Sequence, residues 1–452
     1  MRKNGRIITR LSASLFVCFL VHTVKAQQLT VSLRKAIDLA VENNLSLRSD
    51  SLNVAVTGHN NKELAGYYLP QINYNSVTEF NPEVASQLLP GKFLGDPSKD
   101  LVPVQMGTTY NLRTGVEVTQ ALYRKDLLVQ MRAAGLYSNI SQTKHKLTKE
   151  QLIYNVAYSF FAIQAKADLI RATTEDYLNL KDVLTIAKSQ YENGVIKGID
   201  YHTLQINVSN KEASLSQLET EYMNQLADFN YLLGLPADTR VSIADSISAE
   251  MIIPQQQKQT AERNDILLTR QMVESKQVDI KKIRAELTPS INSYLRYNYQ
   301  AQFNNADKVA NSDYWFRGST IGVSVAVPIF DGNRRRNRIK AAELQLDQLK
   351  YQSTLQQQRA EVEYLNASYV LTNNLQQAGI TKKNLQLAVG VFNSRKALYN
   401  EGVSSLVELL DAERELTNAR KLSLQADVNV KTGWLDLHKA NGTLLTDFIK
   451  SI

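Results

Sequence analysis

The two carboxylates with the clearest spacing for a shared role are Glu408 and Asp411, which stand three residues apart in a stretch rich in helix-forming residues. Side chains three apart lie on the same face of an α-helix. Several copies of such a pair around a pore would attract cations, repel anions and raise one another's pKa. The alternative is an ordinary solvated helix start, where the helix dipole favours acids.

The other residues capable of chemistry show no catalytic or metal-binding spacing. His59, His145, His202 and His438 are scattered along the chain, so no metal site is predicted. The sequence contains no G-x-S-x-G, P-loop or H-E-x-x-H motif. We therefore expect neither an enzyme nor a cofactor-binding protein.

Residues 1–26 have the features of a signal peptide. A basic stretch from Arg2 to Arg10 precedes an apolar run from Leu11 to Val24, and a small residue stands at the predicted cleavage site, Ala26. The run has about fourteen apolar residues, too few for a bilayer span of about twenty. The alternative is an uncleaved anchor.

Removal of this segment changes what the composition implies. It carries five basic residues and no acid, so the net charge falls from +8 to +3 and the main argument for nucleic-acid binding is lost. It also carries the only cysteine, Cys18, which excludes disulfides and cysteine catalysis from the predicted mature chain. No later segment resembles a transmembrane helix, so contact with a membrane would require a β-barrel or a surface association.

The positions of the prolines predict very long helices. All nine prolines fall within 70–103, 236–254 and 289–328. Because proline costs about 3 kcal/mol inside a helix, the stretches between and after these groups can be helical throughout. From Val156 to Tyr177, apolar side chains recur in alternating steps of four and three, which is typical of coiled-coil packing. The predicted helices are 32–66, 124–193, 199–233, 261–286, 334–400 and 403–440.

Four segments alternate between apolar and polar residues with the period of a β-strand: 71–80, 111–121, 290–300 and 320–329. One apolar and one polar face is typical of a membrane barrel strand, and also of a half-buried soluble sheet. Aromatic residues near the segment ends would suit a girdle at a membrane interface: Tyr74, Phe80, Tyr110, Tyr123, Tyr314, Trp315, Phe316 and Phe330.

Short motifs recur in the same order in the two halves of the chain, which indicates an internal twofold repeat. Each half reads helix, strand, strand, long helix, turn, helix. The paired motifs are 69–73 with 288–292, 115–118 with 322–325, and 191–195 with 399–403. The predicted organisation is a first repeat at 27–236, a linker at 237–260 and a second repeat at 261–452.

The strand count predicts an oligomer. In each half the two shorter helices together match the long helix in length. Each half would therefore form a helical rod, with its two strands at the same position along the rod. Four strands cannot close a membrane barrel, since single-chain barrels start at eight strands. Two copies would supply eight strands and three copies twelve.

Three motifs carry a family resemblance: Leu33–Ala40 followed by Asn43 and Asn44, Val327–Gly332, and Tyr399–Val403 with Val407–Ala412. With these motifs in order, the mature chain resembles the TolC-like outer-membrane efflux proteins over essentially its whole length. The resemblance implies a mainly α-helical homotrimer. Its four strands per chain would form a shared twelve-stranded outer-membrane barrel, continuous with a periplasmic tunnel of long antiparallel coiled-coil helices.

The resemblance also assigns roles at the tunnel entrance. Glu408 and Asp411 occupy the positions of carboxylates that ring the periplasmic constriction in the family, while Asp200 and Tyr399 match positions that latch the closed entrance. Here the sequence departs from the family pattern, because Ser404 stands where a basic latch residue is expected. A salt bridge from that position is excluded, so closure must rely on other contacts.

Two glycine-containing turns would form the helix tips. Gly194 and Gly402 allow the left-handed conformation that ends a helix. We expect Val195, Val403 and Leu406 to offer an exposed apolar ledge to the hairpins of a periplasmic adaptor protein. The alternative is plain helix capping with local packing.

The densest charge run is Arg334, Arg335, Arg336 and Arg338. In the family's orientation it lies on the periplasmic side, where lipid phosphates or acids of the tunnel would be partners. The alternative is a solvated helix start, and the positive charge there opposes the helix dipole.

The sequence thus predicts a passive outer-membrane conduit of a Gram-negative tripartite efflux or secretion system, extending into the periplasm. Its partners would be two further copies, an adaptor, an inner-membrane pump and outer-membrane lipid. The alternative is a periplasmic coiled-coil scaffold or adaptor that does not span a membrane.

Overall fold

The computed structural model describes residues 29–244, 258 and 260–452. The predicted signal peptide, with Cys18, lies outside these residues, as does the part of the predicted linker at 245–257 and 259. The described chain is mainly helical, with one four-stranded sheet between long helices.

Long helices dominate the fold, and four of them follow the predicted bounds within three residues. α4 has 59 residues and α7 has 67, which correspond to about 90 and 100 Å at 1.5 Å per residue. The principal helices are α1 (Leu33–Asn43), α2 (Leu45–Gly66), α3 (Lys125–Arg132), α4 (Ala134–Glu192), α5 (Gly198–Leu233), α6 (Asn264–Ala285), α7 (Arg334–Asn400) and α8 (Leu406–Asn441).

Two helices predicted as continuous are broken. Between α1 and α2, Asn44 has an extended backbone, and its side chain accepts from the N–H groups of Ser46 and Leu47. The same side chain donates to Leu232 O at 3.1 Å, so Asn44 caps α2 and ties it to α5. Between α3 and α4, the break falls at Ala133, two residues before Gly135, a poor helix former.

The helices pack in the manner that their lengths predict. α4 contacts both α2 and α5, and α7 contacts both α6 and α8, so in each case two shorter helices share one long partner. α8 also packs on α4, which joins the two halves of the chain.

The buried face of α4 follows the coiled-coil pattern predicted from Val156 to Tyr177 only in part. The predicted positions as far as Ile163 are buried, but further along Thr173 and Asp176 are buried where the pattern had Thr174 and Tyr177. The seam shifts because α4 leaves one core cluster, shared with α1, α5 and α8, and enters a second near the tips, shared with α5, α7 and α8. Thr174 and Tyr177 are half-buried, and Tyr177 still packs against the second core cluster.

The strands form one open antiparallel sheet and two small pairings. The sheet order is β2–β5–β7–β8, so β2 and β8 are its edges. The loop after β2 holds an unpredicted β3–β4 hairpin, and β1 pairs in parallel with β6. The strands are β1 (Leu29–Val31), β2 (Gln71–Phe80), β3 (Ser86–Pro90), β4 (Leu101–Gln105), β5 (Tyr110–Tyr123), β6 (Val241–Ile243), β7 (Ser290–Phe303) and β8 (Trp315–Ala326).

The last strand begins and ends earlier than predicted. β8 stops at Ala326, so Val327–Ile329 of the predicted strand 320–329 lie outside it. Pro328 has no N–H to give to a neighbouring strand and restricts the residue before it, so the pairing ends there.

Candidate functional site

Both helix tips are closed by the same hydrogen-bond pattern. At the α4–α5 turn, the N–H of Val195 donates to Gln190 O at 2.7 Å and that of Gly194 to Tyr191 O at 2.9 Å. At the α7–α8 turn, Val403 donates to Leu398 O at 2.9 Å. The pattern is a Schellman motif, and Gly194 and Gly402 take the left-handed φ values of 75° and 76° that it requires.

The tips expose a smaller apolar ledge than predicted. Val195 is 70% exposed and Val403 is 71% exposed. Leu406 is only 7% exposed, because α8 begins there and turns this side chain into the second core cluster. The prediction of an exposed Leu406 is wrong, whereas Ile199, 71% exposed just past the first tip, was missed by the sequence argument.

Glu408 lies at the third position of α8 and is held by its own helix start. Ser405 Oγ accepts from the Glu408 N–H, and the Glu408 carboxylate accepts from the Ser405 N–H, which together make a capping box. Ser404 Oγ donates to the same carboxylate at 2.5 Å. The serine at the expected latch position therefore binds Glu408, a predicted entrance carboxylate, in its own chain.

Arg395 is a residue of this site that the sequence argument missed. Its guanidinium lies 3.1 Å from Glu408 Oε2, although it belongs to α7, on the other side of the tip. Thirteen residues separate the pair, so no helix spacing could have indicated it. The hydrogen bonds from Ser404 and Ser405, with the charge of Arg395, lower the pKa of the Glu408 carboxyl. The mutual raising of pKa values predicted for a ring of acids concerns several copies and stays a prediction.

Asp411 follows Glu408 on the exposed side of α8. Its carboxylate is 58% exposed and lies 3.2 Å from Arg414 Nη1 on the next turn. Leu409, between the two acids, is fully buried, so the acids face away from the core of their own chain.

Tyr399 and Asp200, the predicted latch residues, lie near each other but make no hydrogen bond to one another. Tyr399 is 6% exposed within the second core cluster, and its hydroxyl has no hydrogen-bond partner among the described residues. Burial raises the pKa of Tyr399, and the negative charge of Asp200 in the first turn of α5 adds to that. A latch between them stays a prediction.

The arginine run at the start of α7 divides into two groups. Arg335 pairs with Asp331 at 3.1 Å and donates to Glu286 O, while Arg338 pairs with the Glu286 carboxylate at 2.8 Å. Acids of the chain itself are thus the partners of two arginines. Arg334 and Arg336 are exposed.

The sheet has one apolar and one polar face, as the alternation predicts. Ile72, Val118, Leu295 and Ile321 are cross-strand neighbours in one row, and Ile321 is 83% exposed. The adjacent row, on the other face, contains Asn73, Glu117, Arg296 and Thr320, with Glu117 and Arg296 2.7 Å apart.

Aromatic rings collect at the end of the sheet that lies far from the helices. Tyr110 stacks between Phe80 and Phe303, with ring centroids 5.1 and 5.6 Å apart. Tyr299 stacks on Trp315 at 4.9 Å. Four of these rings belong to strand ends, and two of them, Tyr110 and Trp315, are of the amphipathic type that is enriched at membrane interfaces.

No group of His, Cys, Asp and Glu side chains in the described residues could hold a metal ion. Nor does any helix in the described ranges combine the length and apolarity that a membrane span requires.

Comparison with known proteins identifies relatives over most of the chain. Residues 256–443 match the family described as "Outer membrane efflux protein". The chain is 24% identical over 348 residues to outer membrane protein TolC of Vibrio cholerae, covering 74% of this chain and 77% of that protein. It is 22% identical to the solvent efflux pump outer membrane protein SrpC of Pseudomonas putida, covering 91% and 85% of the two chains.

A solved structure shares the fold over nearly the same extent. The CmeC outer membrane channel of Campylobacter jejuni superposes with a TM-score of 0.75 at 16% identity, covering 91% of this chain and 85% of that one. The long helices and the four-stranded sheet are therefore the arrangement found in an outer membrane channel.

Proposed function

We propose that this chain, which is similar to the TolC-like outer membrane efflux proteins, is the passive exit duct of a tripartite efflux or secretion system. Energy would come from an inner-membrane pump, so the duct itself needs no catalytic group. The observation that carries this proposal is the four-stranded sheet, which exposes an apolar face and has two free edges.

The sheet supports a barrel shared between copies. Unpaired strand edges cannot face lipid, because no water is present there to satisfy their N–H and C=O groups. Pairing β8 of one copy with β2 of the next would satisfy both edges, and three copies would close twelve strands. The row containing Ile72 and Ile321 would then meet lipid, while the Glu117–Arg296 pair would face the lumen.

The α4–α5 and α7–α8 tips, at the other end of the long helices from the sheet, would form the entrance. Three copies of α8 would bring six carboxylates, from Glu408 and Asp411, to one level around the axis. The lowered pKa of Glu408 keeps its charge at any periplasmic pH near neutrality. Such a ring would favour cations at the entrance.

The tips would receive the adaptor. Val195, Val403 and Ile199 are each at least 70% exposed at the ends of the two helix hairpins. Exposed apolar side chains on a rigid turn suit contact with the apolar face of another helical hairpin. This assignment replaces Leu406 by Ile199 in the predicted ledge.

A matched pair of substitutions on β8 tests the proposal. Val323→Asp places a charge on the apolar face, while Ser324→Asp places the same charge on the polar face one residue later. A buried charge opposes membrane insertion. We expect Val323→Asp to be lost from the outer-membrane fraction, and Ser324→Asp to be recovered there.

Equal recovery of the two variants would contradict the barrel. That result would favour the periplasmic scaffold, in which the apolar face is ordinary sheet and the protein stays soluble without detergent.

A further inference from the structure

The connection between β2 and β5 continues the sheet outward as a narrow two-stranded ribbon. The N–H of Asn81 donates to Thr109 O at 2.7 Å just past the end of β2, and that of Met106 donates to Ala85 O at 3.2 Å just before β3 begins. The pairing of β2 with β5 therefore runs on into the β3–β4 hairpin, on the side of the sheet away from the helices. We call residues 81–109 the outer ribbon.

The tip of the outer ribbon is tightly folded. A Cβ added at Gly91 would lie 2.2 Å from Lys99 O and 2.4 Å from Asp96 O, so the backbone there passes too closely to admit a side chain. The carboxylate of Asp96 accepts from the N–H of Ser98 at 3.3 Å and pairs with Lys99 at 3.4 Å. A segment that is already ordered loses little conformational entropy when it docks.

One face of the outer ribbon is apolar and uncovered. Leu88 and Leu101 lie on the same face, because Leu101 is paired with Pro90, two residues after Leu88 on its strand. Leu88 is 62% exposed, Leu101 is 54% exposed, and Phe93 at the tip is 82% exposed. A two-stranded hairpin is only marginally stable in water on its own, and clustered exposed apolar side chains mark interaction surfaces. We therefore expect this face to be covered in the assembled protein.

The two long sides of the outer ribbon have different neighbours. On the β4 side lies the β7–β8 loop of the same chain, residues 304–314, since Asn304 Oδ1 accepts from the N–H of Thr109 at 3.2 Å. On the other side, β3 continues β2, which is an edge strand of the open sheet. In the proposed shared barrel this edge meets β8 of the next copy, and the β7–β8 loop of that copy leads into its β8. The loop of the neighbouring copy would therefore lie beside β3.

The β7–β8 loop has side chains that suit this contact. Trp315 Nε1 donates to Val309 O at 2.9 Å, which holds the loop against the start of β8, and Val309 is 45% exposed. Asp313 of the loop and Lys92 of the ribbon tip are exposed, and neither forms an ion pair within the described residues. The two surfaces thus match in apolar character and in opposite charge.

We propose that the outer ribbon binds a second copy of this chain, with Leu88 and Leu101 packed on Val309 in the β7–β8 loop of that copy. This inference rests on the proposed function, because the shared barrel is what brings β8 of the neighbour beside β2. The contact would hold adjacent copies together on the side of the membrane away from the helices, where the strands of the barrel have ended.

Cross-linking between introduced cysteines tests which surface the ribbon meets. The chain has one cysteine, Cys18, in the predicted signal peptide, so a Cys18→Ser background is free of thiols. In this background, Leu88→Cys/Val309→Cys is purified at full length in mild detergent and treated with a short bis-maleimide. We expect covalent products of two and three chains from the double variant, and one-chain protein from each single variant.

Two results would overturn the inference. Products confined to one chain would show that the ribbon does not lie on the loop of another copy. Equal yields of two-chain product from the double variant and from Leu88→Cys alone would show that the ribbons meet one another instead.

Heat dissociation of the oligomer in SDS measures what the contact contributes. Leu88→Ser/Leu101→Ser removes the apolar side chains, whereas the control Gln87→Ser/Gln105→Ser shortens two exposed polar side chains on the same strands. We expect the dissociation temperature to fall by about 5 °C or more in the apolar variant and to stay at the wild-type value in the control. An unchanged temperature in the apolar variant would overturn the ribbon contact alone. Wild-type protein that is monomeric in mild detergent would contradict the shared barrel of the proposed function.

Discussion

At the scale of single residues, Glu408 is both a helix-capping residue and an exposed carboxylate, although the sequence argument treated an entrance carboxylate and an ordinary helix start as alternatives. Its carboxylate completes the capping box of α8, and it is also 49% exposed on the side of the helix that faces away from the core. The capping contacts fix the carboxylate in place and favour its charged form. Both effects are compatible with the proposed role of Glu408 as an entrance charge.

His438 predicts a pH dependence of stability. Its ring is 1% exposed against Trp434, and burial lowers the pKa of His438 to about 4. The unfolded chain binds the proton near pH 6.5, so stability is lost as the pH falls from about 6.5 towards 4. From pH 7 to pH 5 we expect His438 to account for about 2 kcal/mol of lost unfolding free energy.

Urea unfolding in detergent, followed by tryptophan fluorescence, measures this loss, because Trp434 lies 4.8 Å from the imidazole. His438→Gln should lose less stability over the same pH interval, whereas the exposed His59→Gln should behave as wild type. An equal pH dependence in wild type and His438→Gln would show that the buried imidazole is not responsible.

At the scale of elements, periodicity and proline placement predicted the long helices and the four strands of the sheet well. These two signals failed where a side chain lies in an environment that is unusual for its residue type. Asp176 is buried on α4, and a search for apolar residues assigns a charged residue to the surface. Asn44 interrupts a helix because its amide binds three backbone groups at once, one of them in α5, and this cannot be read from local sequence.

Replacement of glycine by alanine should have opposite effects on stability at two glycines, Gly402 and Gly379. Gly402 ends α7 with φ 76°, and an added Cβ would meet no neighbouring atom, so Gly402→Ala costs only the left-handed backbone, about 1–2 kcal/mol. Gly379 lies exposed inside α7, and there Gly→Ala should stabilise by about 1 kcal/mol.

Thermal unfolding followed by circular dichroism compares the two variants. We expect a lower midpoint for Gly402→Ala and a higher one for Gly379→Ala. A midpoint at or above wild type for Gly402→Ala would show that the tip does not need the left-handed conformation.

At the scale of the whole molecule, the proposed conduit depends on surfaces that one chain leaves incomplete. The open sheet has two edge strands, β2 and β8, and Glu408 and Asp411, the proposed entrance carboxylates, face away from the core of their own chain. The sequence could predict the need for several copies from the strand count alone. It could not predict Arg395 beside Glu408 or the ion pair of Asp176 with Arg420, because those contacts join residues from different helices.

The most direct test of the conduit is single-channel conductance of the detergent-purified protein in a planar bilayer, with wild type compared to Glu408→Gln/Asp411→Asn. We predict discrete pores that prefer cations in wild type, and pores with a weaker cation preference in the variant. Pores with an unchanged preference would contradict the assignment of the entrance to these carboxylates. Repeated absence of pores from well-folded wild-type protein would contradict the channel itself.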